Sequence, residues 1–180
     1  GALLMVAKNN YLWCTDIKDM TSVANCVVAV ARRFRNERTL YGFRFADATL
    51  QFPDYNDLEL DAIVLLDTLR SEASALTREE QERLFQNVWD DYPEITNRQQ
   101  RGRKIKEDSY YNALQVKYAY AVTCHKAQGG QWQRVFIDQG YVTEETLSPD
   151  YFRWLYTAIT RATEKVYLVN WPENQLANTE

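Results

Sequence analysis

Apolar residues open the chain in a run of strand length, "ALLMVA". Polar Lys8, Asn9 and Asn10 and the aromatics Tyr11 and Trp13 follow, a pattern that predicts a strand ending in a loop. From Val27 to Leu69 the texture stays β. "VVAVARRF", "LYGFRFADATLQF" and "LELDAIVLL" are separated by the turn-rich "RNERT" and "PDYND", and Tyr41, Phe43 and Phe45 alternate with Gly42, Arg44 and Ala46. Three or four short strands on short turns predict a small antiparallel sheet or barrel.

The period changes near Ser71. "LTREEQERLFQNVWDDYP" places Thr77 three residues before Glu80, the signature of a capping box, and sets Leu84, Phe85 and Val88 at helical spacing ahead of Pro93, which predicts a helix. "NRQQRGRKIKED" then carries Arg98, Arg101, Arg103, Lys104 and Lys106, a density that suits either a solvated linker or a phosphate backbone. Beyond it, "ALQVKYAYAVTC" has β composition, "RVFIDQG" reads as a short buried strand, "PDYFRWLYTAITRAT" as a helix and "KVYLVN" as a strand. Strand, helix, strand with apolar strands is the texture of a parallel α/β sheet. On a helix over 150 to 162, Tyr151, Trp154, Leu155, Ala158, Ile159 and Ala162 share one face, and Arg153, Thr157, Thr160, Arg161 and Glu164 lie opposite.

Composition narrows the function classes. With 180 residues, 46% of them hydrophobic, the chain can bury the core of one domain or of a domain with a small insert. No apolar run approaches the roughly 18 to 20 residues of a membrane helix, and no membrane association is expected. Cys14, Cys26 and Cys124 form an odd set without CxxC spacing, so neither a disulfide framework nor a zinc site is expected, and a reduced, cytoplasmic setting fits. The net charge of −4 speaks against whole-surface affinity for nucleic acid but leaves room for a local basic patch, and twelve Tyr and five Trp could include rings exposed for stacking on bases. The chain starts almost at its first strand residue, which reads as a piece of a longer polypeptide, with Gly1 a cloning remnant.

The polar cluster in "AVTCHKAQGGQWQRVFID" holds the single histidine, His125, beside Lys126 and Gln128, with Gly129 and Gly130 able to let backbone approach a ligand. A solvated loop with one histidine is the ordinary alternative. Cys124 and His125 would point to opposite faces of an extended strand, which argues against a nucleophile and base pair, and one histidine with scattered cysteines makes no metal site. No GxxxxGK[ST] phosphate loop occurs. Arg161, near the C-terminal end of its helix, is favoured there by the helix dipole whatever its function.

Together, "YAYAVTCHKAQGGQW" and "WLYTAITRATEKVYLV" resemble motifs V and VI of superfamily 1 DNA helicases, in the RecD-like branch of the UvrD-like C-terminal helicase domain, most closely over residues 115 to 170. "LMVAKNNYLW" is similar to the strand and "NNY" turn that precede an SH3-like β insert in that branch. The resemblance implies an α/β fold: part of a RecA-like motor domain of the P-loop NTPase type, with a parallel sheet and an inserted small SH3-like antiparallel β subdomain. The implied division is residues 1–20 for the first strand, 21–70 for the insert, 71–113 for a helical and basic connection and 114–180 for the rest of the motor domain.

It also implies partners and roles. Single-stranded DNA and the N-terminal RecA-like domain of the same parent chain would be the partners, ATP and Mg²⁺ the cofactors, and DNA repair or recombination the setting. Thr123 and His125, with Lys126 and Gln128, would touch the DNA backbone. Gly129, Gln131 and Tyr156 would lie by the nucleotide, with Tyr156 and Thr157 positioning Arg161, the arginine finger. Gln131 stands where relatives carry Glu, Trp132 where Phe is usual, and Asn25-Cys26-Val27 where an "NGD" turn is expected. Without Walker A and B motifs the chain alone is expected to be inactive as an ATPase. The competing expectation is a non-catalytic DNA-binding module derived from a helicase domain.

Overall fold

The computed structural model describes residues 1–14, 22–23, 27–143, 147–172 and 175. The chain divides into two compact units, Gly1–Ala121 and Val122–Glu180.

The first unit is a closed five-stranded barrel built from β1 (Leu3–Val6), β2 (Val28–Leu40), β3 (Phe43–Phe52), β4 (Leu58–Leu65) and β5 (Leu114–Tyr118). Neighbouring strands run antiparallel except β4 and β5, which are parallel and pair Val64 with Leu114 and Leu65 with Gln115. Alternation along β3 and β4 sends Leu50, Phe52, Leu60 and Val64 into the barrel, where they meet Leu4, Val6, Leu114 and Val116. On the other side of the sheet Phe43, Phe45 and Leu65 pack with Leu84 and Val88 of α1 (Arg78–Asp90) and Ile105 of α2 (Arg98–Lys106). Thr77 caps α1 through the predicted box: its hydroxyl accepts from the Glu80 N–H, and the Glu80 carboxylate accepts from the Thr77 N–H.

Two local readings change. "RNERT" is not a turn: β2 runs through it with bulges between Ala31 and Arg33 and between Arg35 and Arg38, and the hairpin turns at Tyr41 and Gly42, both at positive φ (56° and 76°). The basic stretch from Arg98 is a helix, because the Asn97 side chain accepts from the Gln99 and Gln100 N–H groups and Ile105 is buried. In the lead-in loop the Asn10 amide and the Trp13 indole both donate to the Asn112 carbonyl, at 2.7 and 2.8 Å. Asn25 and Cys26 of the expected insert turn lie outside the described residues.

The second unit is a strand, helix, strand unit: β6 (Trp132–Asp138), α3 (Pro149–Ile159) and β7 (Ala162–Val169), with β6 and β7 parallel. Ser148 caps α3, and Tyr151, Trp154, Leu155 and Ala158 form its covered face, whereas Ile159 is exposed. The helix ends two residues before Arg161.

These findings correct the expected fold class. The described residues form a barrel and a two-stranded parallel pair, not the parallel sheet of a RecA-like motor domain carrying an SH3-like insert. The strands assigned to that sheet at either side of the insert, β1 and β5, instead pair with each other and close the barrel. Leu114, Gln115 and Val116 are all buried. The inward pair lies in the core, and Gln115 is covered outside, where its side chain accepts from the Leu76 N–H and donates to Gln81 of α1. A barrel strand covered by a helix therefore has the same continuous burial as a strand of an α/β sheet.

Candidate functional site

The cluster around His125 is a helical turn rather than the end of a strand, since β5 stops at Tyr118. The N–H groups of Lys126 and Ala127 donate to the Thr123 carbonyl at 2.9 and 3.1 Å, and Gly130 N–H donates to Ala127 O at 3.2 Å. Helical spacing turns Cys124 and Ala127 inward and leaves Thr123, His125 and Gln128 exposed, with Lys126 half-buried. Gly129 follows at φ 87°, a conformation L side chains avoid, and releases the chain from the turn. At Gly130 a Cβ would lie 2.3 Å from the Trp132 ring, so the indole occupies the space a side chain would need.

Arg161 meets this turn from the other side. Its Nε donates to Thr157 O at 3.0 Å, one terminal nitrogen to Gly130 O at 3.2 Å and the other to the Thr160 hydroxyl at 3.1 Å. The Arg161 carbonyl in turn accepts from the Trp132 N–H at 2.9 Å. Because β6 and β7 are parallel, with Trp132 level with Ala162, turn and arginine share the end at which both strands begin. A guanidinium carries five N–H donors, and three are used here, so two remain for an external oxyanion. The Thr157 hydroxyl donates to Arg153 O at 2.8 Å, and that of Thr160 to Tyr156 O at 2.9 Å, so the last turn of α3 is well held.

Cys124 points away from this surface. Its thiol donates to Trp154 O at 3.5 Å, and burial pushes its pKa up, with Arg161 pulling weakly the other way. It is a packed thiol, as the sequence argument against a Cys–His pair expects, though the geometry is helical rather than extended.

The structure thus brings Thr123, His125, Lys126, Gln128, Gly129 and Arg161 into one neighbourhood. Gln131 is exposed between Gly130 and Trp132, and Tyr156 is 71% exposed on α3 with no side-chain bond to Arg161. Residues 118–169 match the UvrD-like helicase C-terminal domain. The match spans both quoted motifs and carries a helicase-related role for that segment. No curated protein matches the chain.

No described helix is long and apolar enough to cross a membrane. Among the described residues, no group of three or more His, Cys, Asp and Glu is placed to hold a metal ion. Arg161 keeps two N–H donors, and the turn it bonds at Gly130 O carries Lys126 and His125, donor types that suit the oxygens of a phosphate group. Sequence reasoning missed the Gly130–Trp132 pairing and a basic, aromatic groove on the barrel. For the second, "ARRFR" in β2, an aromatic residue among arginines, was a usable signal.

Proposed function

We propose that this chain supplies the strand-gripping and arginine-bearing part of an ATP-dependent DNA helicase of the RecD-like kind, the kind also found as an exonuclease subunit. The observation that carries this reading is the bond from Arg161 to Gly130 O, which fastens the cation to the turn bearing Thr123, His125, Lys126 and Gln128 within the matched segment.

The exposed turn presents a hydroxyl, an imidazole, an ammonium and an amide, all able to donate to backbone phosphates irrespective of base sequence. Arg161 is held by two carbonyls and a hydroxyl and keeps two N–H donors. It stabilises the charge that develops on a transferring phosphoryl group once a Walker-bearing partner domain closes against it. ATP with Mg²⁺ supplies that phosphoryl group, with the metal ligands expected on the partner domain. Gly129 allows close backbone approach, Gln131 offers an uncharged hydrogen bond where a carboxylate is usual, and Tyr156 presents a ring to the nucleotide. Because Arg161 contacts the turn, a shift of one is felt by the other, which links phosphate chemistry to grip on the strand.

Fluorescence anisotropy of a labelled oligothymidylate tests the grip. Lys126→Ala is expected to weaken binding and to flatten the dependence of log K on log salt by about 0.7, the contribution of one phosphate contact to a single strand. The Thr123→Ala/His125→Ala pair is expected to weaken it further at constant fold. Unchanged affinity and slope in both variants would remove the turn from the DNA interface.

A further inference from the structure

The barrel carries a groove of about 460 Å³ that belongs to no part of the site above. Arg35, Arg44 and Arg70 line it, above an apolar floor that includes Leu66 and Leu69, with Phe34 and Tyr118 at its rim. Both rim aromatics are exposed, at 42% and 48%. Tyr118 also stacks on Tyr120, itself 70% exposed, with ring centroids 6.0 Å apart and planes 21° from parallel.

The charges in the groove are unequally matched. Arg44 is engaged by Glu37, and its N–H is capped by Asp67 at 2.6 Å. Asp47, across the strand pair from Arg35, is taken up by Arg38 and Asn36. Arg35 and Arg70 themselves make no side-chain hydrogen bond or ion pair among the described residues, although Arg35 still feels the Asp47 charge through space. A fold gains little from two guanidinium groups that make no hydrogen bond beside open aromatic faces, and such rings are not needed by the core, which is filled by other residues.

We propose that this groove is a second binding site for single-stranded nucleic acid, with phosphates on Arg35 and Arg70 and bases stacked on the Tyr118–Tyr120 pair and Phe34. The site deepens the nucleic-acid reading of the chain but rests on a different set of residues. Flat rings in a groove with cations whose N–H donors are unused suit a strand that exposes bases and phosphates in alternation, and stacking of this kind tolerates any base. An acidic peptide would use the arginines and leave the stacked tyrosines idle, so the strand is the better occupant.

The test is anisotropy of a fluorescein-labelled oligothymidylate of about 15 nucleotides, the upper range for one small barrel, with circular dichroism and melting of each variant to show an unchanged fold. Arg35→Ala/Arg70→Ala is expected to lower affinity about tenfold and the salt slope by about 1.4, two single-strand phosphate contacts. Tyr120→Ala is expected to lower affinity about fivefold or more, with Tyr120→Phe restoring it because the ring, not the hydroxyl, stacks. Native affinity in these variants while Lys126→Ala and Thr123→Ala/His125→Ala weaken binding would overturn the groove and leave the turn in place. The reverse pattern would support the groove and remove the turn. Competition by polyglutamate, with no loss of strand binding in Tyr120→Ala, would overturn it in favour of an acidic peptide.

Discussion

Arg161 illustrates how one side chain meets a structural and a chemical requirement together. Its bonds to Thr157 O and Gly130 O satisfy carbonyls at a helix end, where a cation is welcome on electrostatic grounds alone, and they fix the planar group while leaving donors unused. The sequence supplied the choice of residue but not this geometry, because the helix expected over 150 to 162 ends at Ile159 and leaves Arg161 in the link to β7. Cys124 allows a simple check on the turn. Burial raises its pKa, so the thiol stays protonated at neutral pH and should react with iodoacetamide several-fold more slowly than a free cysteine, as peptide mass spectrometry would show. Alkylation at the free-thiol rate would mean that the turn opens. Gly129→Ala, forced to φ 87°, should cost about 1 kcal/mol or more, measurable by urea denaturation.

Elements were readable where a local signal was strong and unreadable where tertiary contacts decided. Thr77 and Glu80 announced α1 and form the predicted box, and Thr77→Ala should cost about 1 kcal/mol in a thermal melt. Helix α2 escaped notice because its single buried residue, Ile105, gives no apolar period, and because Arg101 is anchored by stacking 4.5 Å over the Trp89 ring rather than by a pattern visible in sequence. In β2 the polar "RNERT" hid a continuing strand whose Arg38 bonds Asp47 of β3 at 2.7 Å. Arg38, then Asn36, hold the Asp47 carboxyl below its ordinary range. A folded-state value below the unfolded one, about 3.9, means that stability is present above that pH and is lost as pH falls through the folded value. Asp47→Asn should therefore flatten the acid limb of a pH–stability curve below about pH 4, and an unaltered limb would discount this pair.

For the whole molecule, a strand, helix, strand unit and a small β body were both legible, whereas the closure of the β body into a barrel was not. The fold class failed at β1 and β5: Leu4–Val6 and Leu114–Val116 are buried on both faces, and such burial cannot tell a strand covered by helices in a parallel sheet from one that closes a barrel under α1. The candidate turn was legible because polar residues and paired glycines interrupt an otherwise apolar segment, and its approach to Arg161, some thirty residues on, came from the resemblance rather than from spacing. The measurement that tests the account most directly is DNA-stimulated ATP hydrolysis by a polypeptide in which this chain accompanies a Walker-bearing domain, native against Arg161→Ala, with nucleotide binding measured alongside. The account predicts a loss of turnover on the order of 10³-fold with nucleotide binding largely kept. Turnover at the native rate would contradict it and leave Arg161 a helix-end cap.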